Sequence, residues 1–469
     1  MPIAPPLNAM WKPELTESVE TPLFRALCDA IARDVRAGRL SEGTRMPTHR
    51  ALAHELGLAR GTVARAYSEA ERIGILESEV GRGTFVAGDR SLASSLESLT
   101  HLDPDLIDLS LNFPLYQQDP DLAPALRRLA KNPRLAELTR YQNQSGMPRH
   151  RVAGARWLKT CGLDVGSEDI VVTAGSQHAI TISLSSICEP GDVVAVEELT
   201  YPGIRATAQM LHLKLIGIEM DDEGMIPESF EAACQKRRVR ALFTVPTVHN
   251  PTTATLSAVR REAIARIAIQ HGVAIVEDDV HRMQAPAAAP PIRTHAPAHT
   301  FYVGTVSKAF VGGLRIAYLV VPPQFLETVN QRILATSWMI PPLNAEIMAE
   351  WIEDGTVERV VASKCAEANR RQEIAREILG SERVFSQPGS TFLWLRLPSD
   401  RESAAFTVEA RRKGVAVTPM ETFDIGGRKK TPAIRVCIGC VDSEARLRKG
   451  LEAVRDLLHQ RADSGMAIV

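Results

Sequence analysis

The sequence has little net charge and no long apolar run. Its 469 residues carry a formal net charge of −1, so any surface that binds nucleic acid must be local. No segment approaches the roughly 18 consecutive apolar residues that suggest a membrane-spanning helix. The N-terminal Met1-Pro-Ile-Ala-Pro-Pro6 also lacks the charged and apolar regions of a signal peptide. These absences predict a cytoplasmic protein without a membrane span.

The cysteines show neither disulfide-like nor metal-like spacing. Seven are scattered along the chain, an odd number that favours a reducing compartment. The one Cys-x-x-Cys motif, Cys437-Ile-Gly-Cys440, lacks a second pair, and residues three apart in a strand face opposite sides. We therefore expect these cysteines to pack in the core, and we expect no metal site.

Two kinds of pattern divide the chain, which is long for one domain and 45% hydrophobic. Residues 21–87 contain helical apolar spacing followed by a short hairpin pattern. Residues 88–105 are polar and rich in Ser and Asp, and we interpret them as a linker. From Leu106 onwards strands and helices alternate, which predicts an α/β layered domain over 106–469.

The N-terminal pattern predicts a winged helix-turn-helix. Helices are expected from Pro22 to Gly38, from Thr48 to Leu56 with Thr48 as N-cap, and from Arg60 to Ile73. Two short strands around a turn follow within residues 74–87. Two helices across a glycine turn and then a hairpin are typical of DNA-binding domains.

The amino-acid sequence of this segment resembles the GntR family of bacterial regulators. The resemblance is carried by Met46-Pro-Thr-His-Arg50, Leu56-Gly-Leu-Ala-Arg-Gly-Thr-Val63 and Gly81-Arg-Gly-Thr-Phe-Val86. A local excess of arginine over residues 44–65 also suits phosphate contacts, although a solvated helical face would look the same. The resemblance implies that double-stranded DNA is contacted by Arg50, Arg60, Thr62 and Arg65, and by Arg82 in the wing.

One lysine in the second unit has the surroundings of a Schiff-base site. The segment Gly304-Thr-Val-Ser-Lys-Ala-Phe-Val-Gly-Gly-Leu-Arg315 places Lys308 after an apolar run, among small residues that include Thr305 and Ser307, and ahead of Arg315. A phosphorylated aldehyde would need such an amine and a fixed cation for its phosphate. A lone lysine is more often a solvated surface amine, so the interpretation depends on the other segments.

Two upstream segments supply the partners that a pyridoxal ring needs. Asn250 lies in an Asn-Pro turn after one apolar strand, and Asp278 lies at the end of another. A carboxylate keeps the pyridine nitrogen protonated, and a donor binds the phenolic oxygen. The order and spacing of Asn250, Asp278, Lys308 and Arg315 resemble the fold-type-I aminotransferases, with pyridoxal 5′-phosphate as cofactor.

Further residues are assigned to the same site. Free amides at the helix start in Val171-Val-Thr-Ala-Gly-Ser-Gln177 would bind phosphate through Gly175, Ser176 and Gln177, although such turns are often purely structural.

By resemblance Tyr201 lies against the cofactor ring, and Tyr141 crosses a homodimer interface to the neighbour's phosphate. By resemblance Arg435 holds a substrate carboxylate and Asn112 lies in a loop over the substrate. An ordinary turn tyrosine and a salt-bridged edge arginine are the alternatives for Tyr201 and Arg435.

One position departs from the aminotransferase pattern. Relatives usually have a tyrosine three residues after the pyridine aspartate, where this chain has His281. Some relatives carry that tyrosine one place earlier, where Val280 stands here, so the tyrosine is missing on either alignment. A histidine can hydrogen-bond there, but its charge varies near neutral pH. We therefore expect the electronics of the ring to differ from those of an aminotransferase.

The whole chain resembles the MocR-type regulators, in which a GntR-like domain is fused to an aminotransferase-like domain. The resemblance implies a transcription regulator that senses an amine or amino acid through aldimine exchange at Lys308. The alternative is an active aminotransferase with an attached DNA-binding domain, and a third interpretation has pyridoxal phosphate itself as the signal. The expected fold class is α/β, with a mixed, mainly parallel sheet.

Overall fold

The computed structural model describes residues 11, 13, 23–36, 39–40, 44–72, 75–79, 83–86, 105–285, 287–380, 383–426 and 431–460. The chain divides into two compact units, Met1–Thr100 and His101–Val469. Most of the linker expected at 88–105 and Arg82 of the expected wing lie outside the described residues. The exact domain boundaries therefore stay predictions.

The first unit has the expected winged helix-turn-helix arrangement. Its helices are α1 (Leu23–Arg36), α2 (His49–Leu56) and α3 (Arg60–Arg72), and its hairpin pairs β1 (Leu76–Glu79) with β2 (Gly83–Val86). The Thr48 hydroxyl accepts from the Ala51 amide at 3.2 Å, as expected of an N-cap. Gly57 ends α2 with φ 64°, the left-handed conformation that glycine adopts without strain.

The helices of the second unit alternate with its strands. Its helices, α4 to α14 in chain order, are Leu122–Ala130, Pro148–Thr160, Ser176–Ile187, Gly203–Met210, Pro227–Lys236, Ala258–His271, Leu326–Thr336, Pro342–Glu353, Thr356–Leu379, Ser403–Arg412 and Glu444–His459. Its strands, β3 to β17 in chain order, are Ile107–Asp108, Ile170–Thr173, Val193–Glu197, Lys214–Ile218, Met220–Asp221, Gly224–Met225, Ala241–Thr244, Ala274–Asp278, Thr300–Thr305, Ala317–Val320, Val384–Phe385, Phe392–Arg396, Val415–Ala416, Thr418–Pro419 and Ala433–Cys437.

A seven-stranded sheet forms the centre of this unit, in the order β4-β12-β11-β10-β9-β5-β6. Strand β12 runs antiparallel to both of its neighbours, and the other pairs are parallel. The expected mixed, mainly parallel sheet is therefore confirmed. Strands β4, β9, β11 and β12 are buried along their whole length, because helices cover both faces of the sheet.

Alternate residues of the strands pack into two different cores. On one face Val172, Tyr302 and Tyr318 join a cluster that contains Trp157 and Trp351 from α5 and α11. On the other face Val171, Val303 and Leu319 pack against α6 and α10. This period of two holds the sheet rigidly between helical layers, so residues at its edge have fixed positions.

A smaller sheet lies in the C-terminal part, in the order β13-β14-β17-β16. It packs with α12, α13 and α14 in a separate cluster that includes Leu393, Val436 and Leu451. Strand β17 carries Arg435, and its neighbour in the register on β14 is Trp394.

The described residues contain no helix that is both long and apolar enough to cross a membrane. In the same residues no group of three or more His, Cys, Asp or Glu side chains is placed to hold a metal ion. Cys437 is fully buried in β17, as expected, whereas Cys440 is only half-buried, and all seven cysteines have free thiols.

Candidate active site and nucleic-acid interface

Most of the expected site residues lie at the carboxyl ends of the parallel strands. These strand ends form one edge of the seven-stranded sheet. Asp278 ends β10, Asn250 follows β9, and Lys308 follows β11, and these three strands are neighbours. The antiparallel β12 starts at this same edge, so Arg315 arrives just before it. Ligands of open α/β sheets bind at this edge.

Lys308 lies in this edge with an amine suited to nucleophilic attack. Its Nζ donates to the main-chain oxygen of Asn112 at 2.6 Å. The side chain keeps some accessible surface, yet the surrounding protein lowers the pKa of Lys308 to about 8. Burial is the main cause, and the positive charges of Arg435 and Arg315 act in the same direction. A sizeable neutral fraction near pH 7 to 8 follows from this pKa.

Asp278 is a buried carboxylate with an unused oxygen. It is 3% exposed, and its Oδ1 has no hydrogen-bond partner among the described residues. Burial, followed by the nearby Asp279, raises the pKa of Asp278 to about 7, and Lys308 opposes this shift. A buried carboxylate without a partner is costly, so this position suits a cationic ligand atom.

Gly175 and Arg315 form a close-packed pair on the sheet edge. A Cβ on Gly175 would lie 2.7 Å from Cζ of Arg315, so only glycine lets the guanidinium approach the turn. Gly175 has φ 84° and ψ 171°, and it precedes Ser176 at the start of α6 without a side-chain cap. The amides of this helix start are therefore available next to a fixed cation.

Thr305 and Ser307 are part of the same turn. The Thr305 Oγ1 lies 3.0 Å from Ser307 Oγ and 3.2 Å from the main-chain oxygen of Ile316. These contacts join the end of β11 to the start of β12, and they hold Lys308 and Arg315 on the same loop.

Arg435 connects the smaller sheet to this edge. Its Nη1 donates to Asn250 Oδ1 at 2.8 Å and its Nη2 donates to the Ser110 main-chain oxygen at 2.7 Å. The Nε of Arg435 and the Nδ2 of Asn112 are buried donors that lack a partner within the described part of the chain. Arg435 therefore contacts Asn250, and Asn112 contacts Lys308.

Gln177 and Tyr201 lie side by side at this edge. Gln177 Nε2 donates to Thr207 Oγ1 at 2.8 Å and to the Gly203 main-chain oxygen at 3.1 Å, so this side chain ties α6 to α7. A Cβ on Gly203 would lie 2.3 Å from a ring atom of Tyr201. Burial and then Asp278 raise the pKa of Tyr201 to about 12, so the phenol is protonated.

Within one chain, Tyr141 lies apart from the other expected site residues. Its side chain is 82% exposed and packs against Trp338, with 5.7 Å between ring centroids and an angle of 51° between the ring planes. Trp338 is itself 52% exposed. An exposed pair of large aromatic rings is unusual on a surface that faces water alone.

His281 is 1% exposed, and its Nδ1 lies 2.7 Å from Gln284 Oε1. Burial and then the charge of Lys308 lower the pKa of His281 to about 3. The expected variation of its charge near neutral pH is therefore absent in this environment. The local sequence alone could not reveal this, since the burial comes from distant elements such as Phe392.

Glu197 is a buried group that the sequence interpretation missed. It ends β5, and its Oε1 accepts from the Val245 amide at 3.0 Å and from the Thr244 hydroxyl. Burial raises the pKa of Glu197 to about 7. An acidic residue directly after an apolar strand was the signal, the same signal that pointed to Asp278.

The first unit presents the expected DNA-contact residues on α2 and α3. Arg50 and Arg60 are exposed and Thr62 is half-buried. Arg65 is exposed too, but its guanidinium lies 4.1 Å from the centre of the Phe24 ring on α1. Arg65 therefore supports the packing of α3 on α1, whereas Arg50 and Arg60 are the better candidates for phosphate or base contacts.

Comparisons with known proteins match both units. The family model described as "Aminotransferase class I and II" matches residues 104–454, and that described as "Bacterial regulatory proteins, gntR family" matches residues 23–86. The chain is 29% identical over 451 residues to the HTH-type transcriptional regulator YdeF of Bacillus subtilis, with 96% of each chain covered. It is also 29% identical to the vitamin B6 salvage pathway transcriptional repressor PtsJ of Salmonella typhimurium, over 85% of this chain and 90% of that one.

A solved kynurenine aminotransferase of Pyrococcus horikoshii is similar to the second unit. The TM-score is 0.71 at 25% identity, over 78% of this chain and 94% of that chain. This likeness agrees with the fold class expected from the sequence. The chain belongs to the class I and II aminotransferase family, and its gntR-family domain gives it the domain composition of the MocR-type transcription regulators.

Proposed function

We propose that the protein is a DNA-binding transcription regulator whose second unit binds pyridoxal 5′-phosphate at Lys308 and responds there to an amine or amino acid. The observation that carries the proposal is the gathering of Lys308, Asp278, Asn250 and Arg315 at one sheet edge, in a chain that also has a gntR domain. As a regulator of bacterial type it would act in the cytoplasm, where the DNA is.

Pyridoxal 5′-phosphate is the cofactor that the aminotransferase family implies, and features of this chain fit it. The unused Oδ1 of Asp278 suits a protonated pyridine nitrogen. The uncapped start of α6 at Gly175 and Ser176, with the guanidinium of Arg315 directly beside it, suits a phosphate. When bound, the cofactor supplies an aldehyde that condenses reversibly with amines and a ring that withdraws electrons.

Different residues of the chain would hold different parts of this ligand. Lys308 offers an amine whose pKa of about 8 leaves part of it neutral for attack. Asp278 would fix the charge of the ring nitrogen, and the ring cation would in turn lower the raised pKa of Asp278. Arg315, Gly175 and Ser176 would hold the phosphate, so the ring could not drift from Lys308.

An amino acid fits the effector pocket better than a simple amine. Arg435 Nε and Asn112 Nδ2 are buried donors without partners among the described residues. A carboxylate supplies the acceptors that such donors need. The Arg435 bonds to Asn250 and Ser110 hold the guanidinium in place before the effector enters.

A second candidate has pyridoxal phosphate itself as the signal. It is favoured by the similarity to PtsJ, a protein whose name connects it with vitamin B6 salvage. In that case cofactor binding alone would change operator affinity. An active aminotransferase remains the competing class, since the lysine, the aspartate and the arginines that it would use are all gathered.

We also propose a homodimer that covers Tyr141 and Trp338. The two contacting side chains are 82% and 52% exposed in one chain, and aromatic side chains of this size are typical of interface cores. In such a dimer Tyr141 would reach the neighbour's site, as the resemblance implies.

The test is to locate the cofactor covalently. The full chain is mixed with pyridoxal phosphate, the linkage is reduced with borohydride, and the modified peptide is identified by mass spectrometry. We expect close to one cofactor per chain, on Lys308, and none at that peptide in Lys308→Ala. Modification spread evenly over surface lysines would contradict the proposal.

A further inference from the structure

The ring of His281 is held on one side by Gln284 and on another by Phe392. The distance between His281 Nδ1 and Gln284 Oε1 is 2.7 Å. The imidazole and Phe392 rings have centroids 5.3 Å apart and are tilted by 56°. The ring therefore has one well-defined position, at the edge of the sheet that carries Lys308.

The orientation of the Gln284 amide follows from its second contact. Gln284 Nε2 donates to the main-chain oxygen of Lys308 at 3.5 Å. A carbonyl oxygen only accepts, so the reversed amide would place two acceptors together there and would lose the bond. Oε1 of Gln284 therefore faces His281.

This orientation fixes the proton on the imidazole. An amide oxygen only accepts, so Nδ1 of His281 must carry the hydrogen. The ring is neutral, because burial and the cations Lys308 and Arg435 all lower its pKa. A neutral imidazole has one N–H, so Nε2 has only a lone pair. No partner for Nε2 is found among the described residues.

We propose that His281 offers the cofactor site a hydrogen-bond acceptor, Nε2, where aminotransferase relatives offer the donor hydroxyl of a tyrosine. The inference rests on the proposed binding of pyridoxal phosphate at Lys308. From the sequence, His281 was expected only to hydrogen-bond at this position, and the proposal makes that role acceptance through Nε2.

Asn250 supplies the complementary group. Its Oδ1 accepts from Arg435 Nη1 at 2.8 Å, and a guanidinium only donates, so Nδ2 is the atom left for a ligand. A donor and an acceptor together match a neutral hydroxyl, which can accept from Asn250 and donate to His281. Two donors, as with a tyrosine, match an oxyanion. This chain therefore selects pyridoxal phosphate with its ring hydroxyl protonated, which weakens it as an electron sink and suits binding more than turnover.

The first test measures the tautomer in the full chain without cofactor. Histidine is labelled with ¹⁵N, and long-range ¹H–¹⁵N spectra distinguish protonated from bare ring nitrogens. His281→Gln identifies the signal among the 12 histidines. We expect the Nδ1–H tautomer to exceed the other by at least about fivefold, as a buried hydrogen bond with no replacement would require. A dominant Nε2–H signal would overturn the inference.

Two substitutions at Gln284 serve as matched variants. Gln284→Glu keeps an acceptor beside Nδ1 and should keep the same tautomer. Gln284→Met removes it, so the proportion of the Nδ1–H tautomer should fall, towards the Nε2–H form that predominates in a free histidine side chain. An unchanged ratio in a folded Gln284→Met protein would mean that Gln284 does not set the tautomer, and it would count against the proposal.

The second test uses the absorbance of the loaded protein, which reports whether the ring hydroxyl is ionised. At one fixed pH, wild type should show mainly the band of the protonated hydroxyl, and His281→Tyr should shift intensity to the ionised form. Equal spectra would contradict the acceptor role. Failure of pyridoxal phosphate to bind wild type at all would instead overturn the proposed function and leave the tautomer result standing.

Discussion

Asp278 is held without a partner for its Oδ1, and its pKa is raised to about 7. Burial raises the pKa of the nearby Glu197 to about 7, and burial also raises the pKa of Glu277. These acids lie at the carboxyl ends of the strands. Buried ionisable groups at a functional site lower the stability of the folded protein. A bound cation would relieve that cost at Asp278.

Replacement of Asp278 by Asn should stabilise the protein when no cofactor is present. Because the folded pKa is raised, the folded state holds a proton that the unfolded state releases above about pH 4. The contribution of Asp278 to stability therefore falls as pH rises from about 4 through 7. We expect Asp278→Asn to exceed wild type by roughly 1–4 kcal/mol at pH 8 and by little at pH 4.

The measurement is the free energy of unfolding by urea at both pH values. Glu197 and Glu277 are present in both proteins, so the difference isolates Asp278. A mutant that is equally or less stable at pH 8 would contradict the assigned cost. The same mutant should bind pyridoxal phosphate much more weakly than wild type.

At the scale of elements, apolar runs that end in an acidic residue or in small residues predicted the strands. They also predicted that the site lies at the carboxyl ends of those strands. The runs before Asp278 and Lys308 are strands β10 and β11, and helix α6 begins after Gly175 as expected. The contacts of Arg435 with Asn250 could not be predicted, since these residues are 185 positions apart. The bonds of Gln177 to α7 and the stacking of Arg65 on Phe24 also depend on packing that local sequence does not record.

The turn before α6 should tolerate no side chain at Gly175. Gly175→Ala adds a Cβ 2.3 Å from Nη2 of Arg315, on a residue whose φ is 84°. The guanidinium must move, so affinity for pyridoxal phosphate should fall by roughly 10- to 100-fold, as strain of 1–3 kcal/mol implies. Equilibrium titration by absorbance measures it.

Gly191→Ala is the matched control. Gly191 has φ 94°, but a Cβ there meets nothing within 4 Å. It should weaken stability through the backbone alone and leave cofactor affinity close to wild type. Equal losses of affinity in the two mutants would show that backbone strain, and not the contact with Arg315, explains the effect.

Helices α2 and α3 should carry the DNA contacts. Arg50 and Arg60 are exposed there. Replacement of either by Ala should weaken binding to an operator selected from random DNA by ~1–3 kcal/mol, and a lost phosphate contact should reduce the salt slope by about 1. Gel-shift titrations at several salt concentrations provide both values.

Arg25→Ala is the control for charge, because Arg25 is an exposed arginine on α1. It should change operator affinity less than either Arg50→Ala or Arg60→Ala. Equal effects of all three would indicate a general electrostatic attraction instead of contacts from α2 and α3.

At the scale of the whole molecule, one chain combines a DNA-binding domain with a domain whose residues suit the binding of pyridoxal phosphate. The gntR domain matches residues 23–86 and the aminotransferase domain matches residues 104–454. Regulation requires that occupancy of the Lys308 site change operator affinity, since a ligand shifts an equilibrium only by its differential affinity for two states. Without this coupling the two units would be independent functions on one chain.

Operator affinity of the full-length protein with and without pyridoxal phosphate, and then with added amino acids, tests this coupling most directly. Wild type should change its operator Kd by about 5- to 150-fold on addition of cofactor or of cofactor with an effective amino acid. Lys308→Ala should show no such response. If wild type binds its operator equally with and without these ligands, or if Lys308→Ala responds as wild type does, the regulatory role assigned to the Lys308 site is wrong.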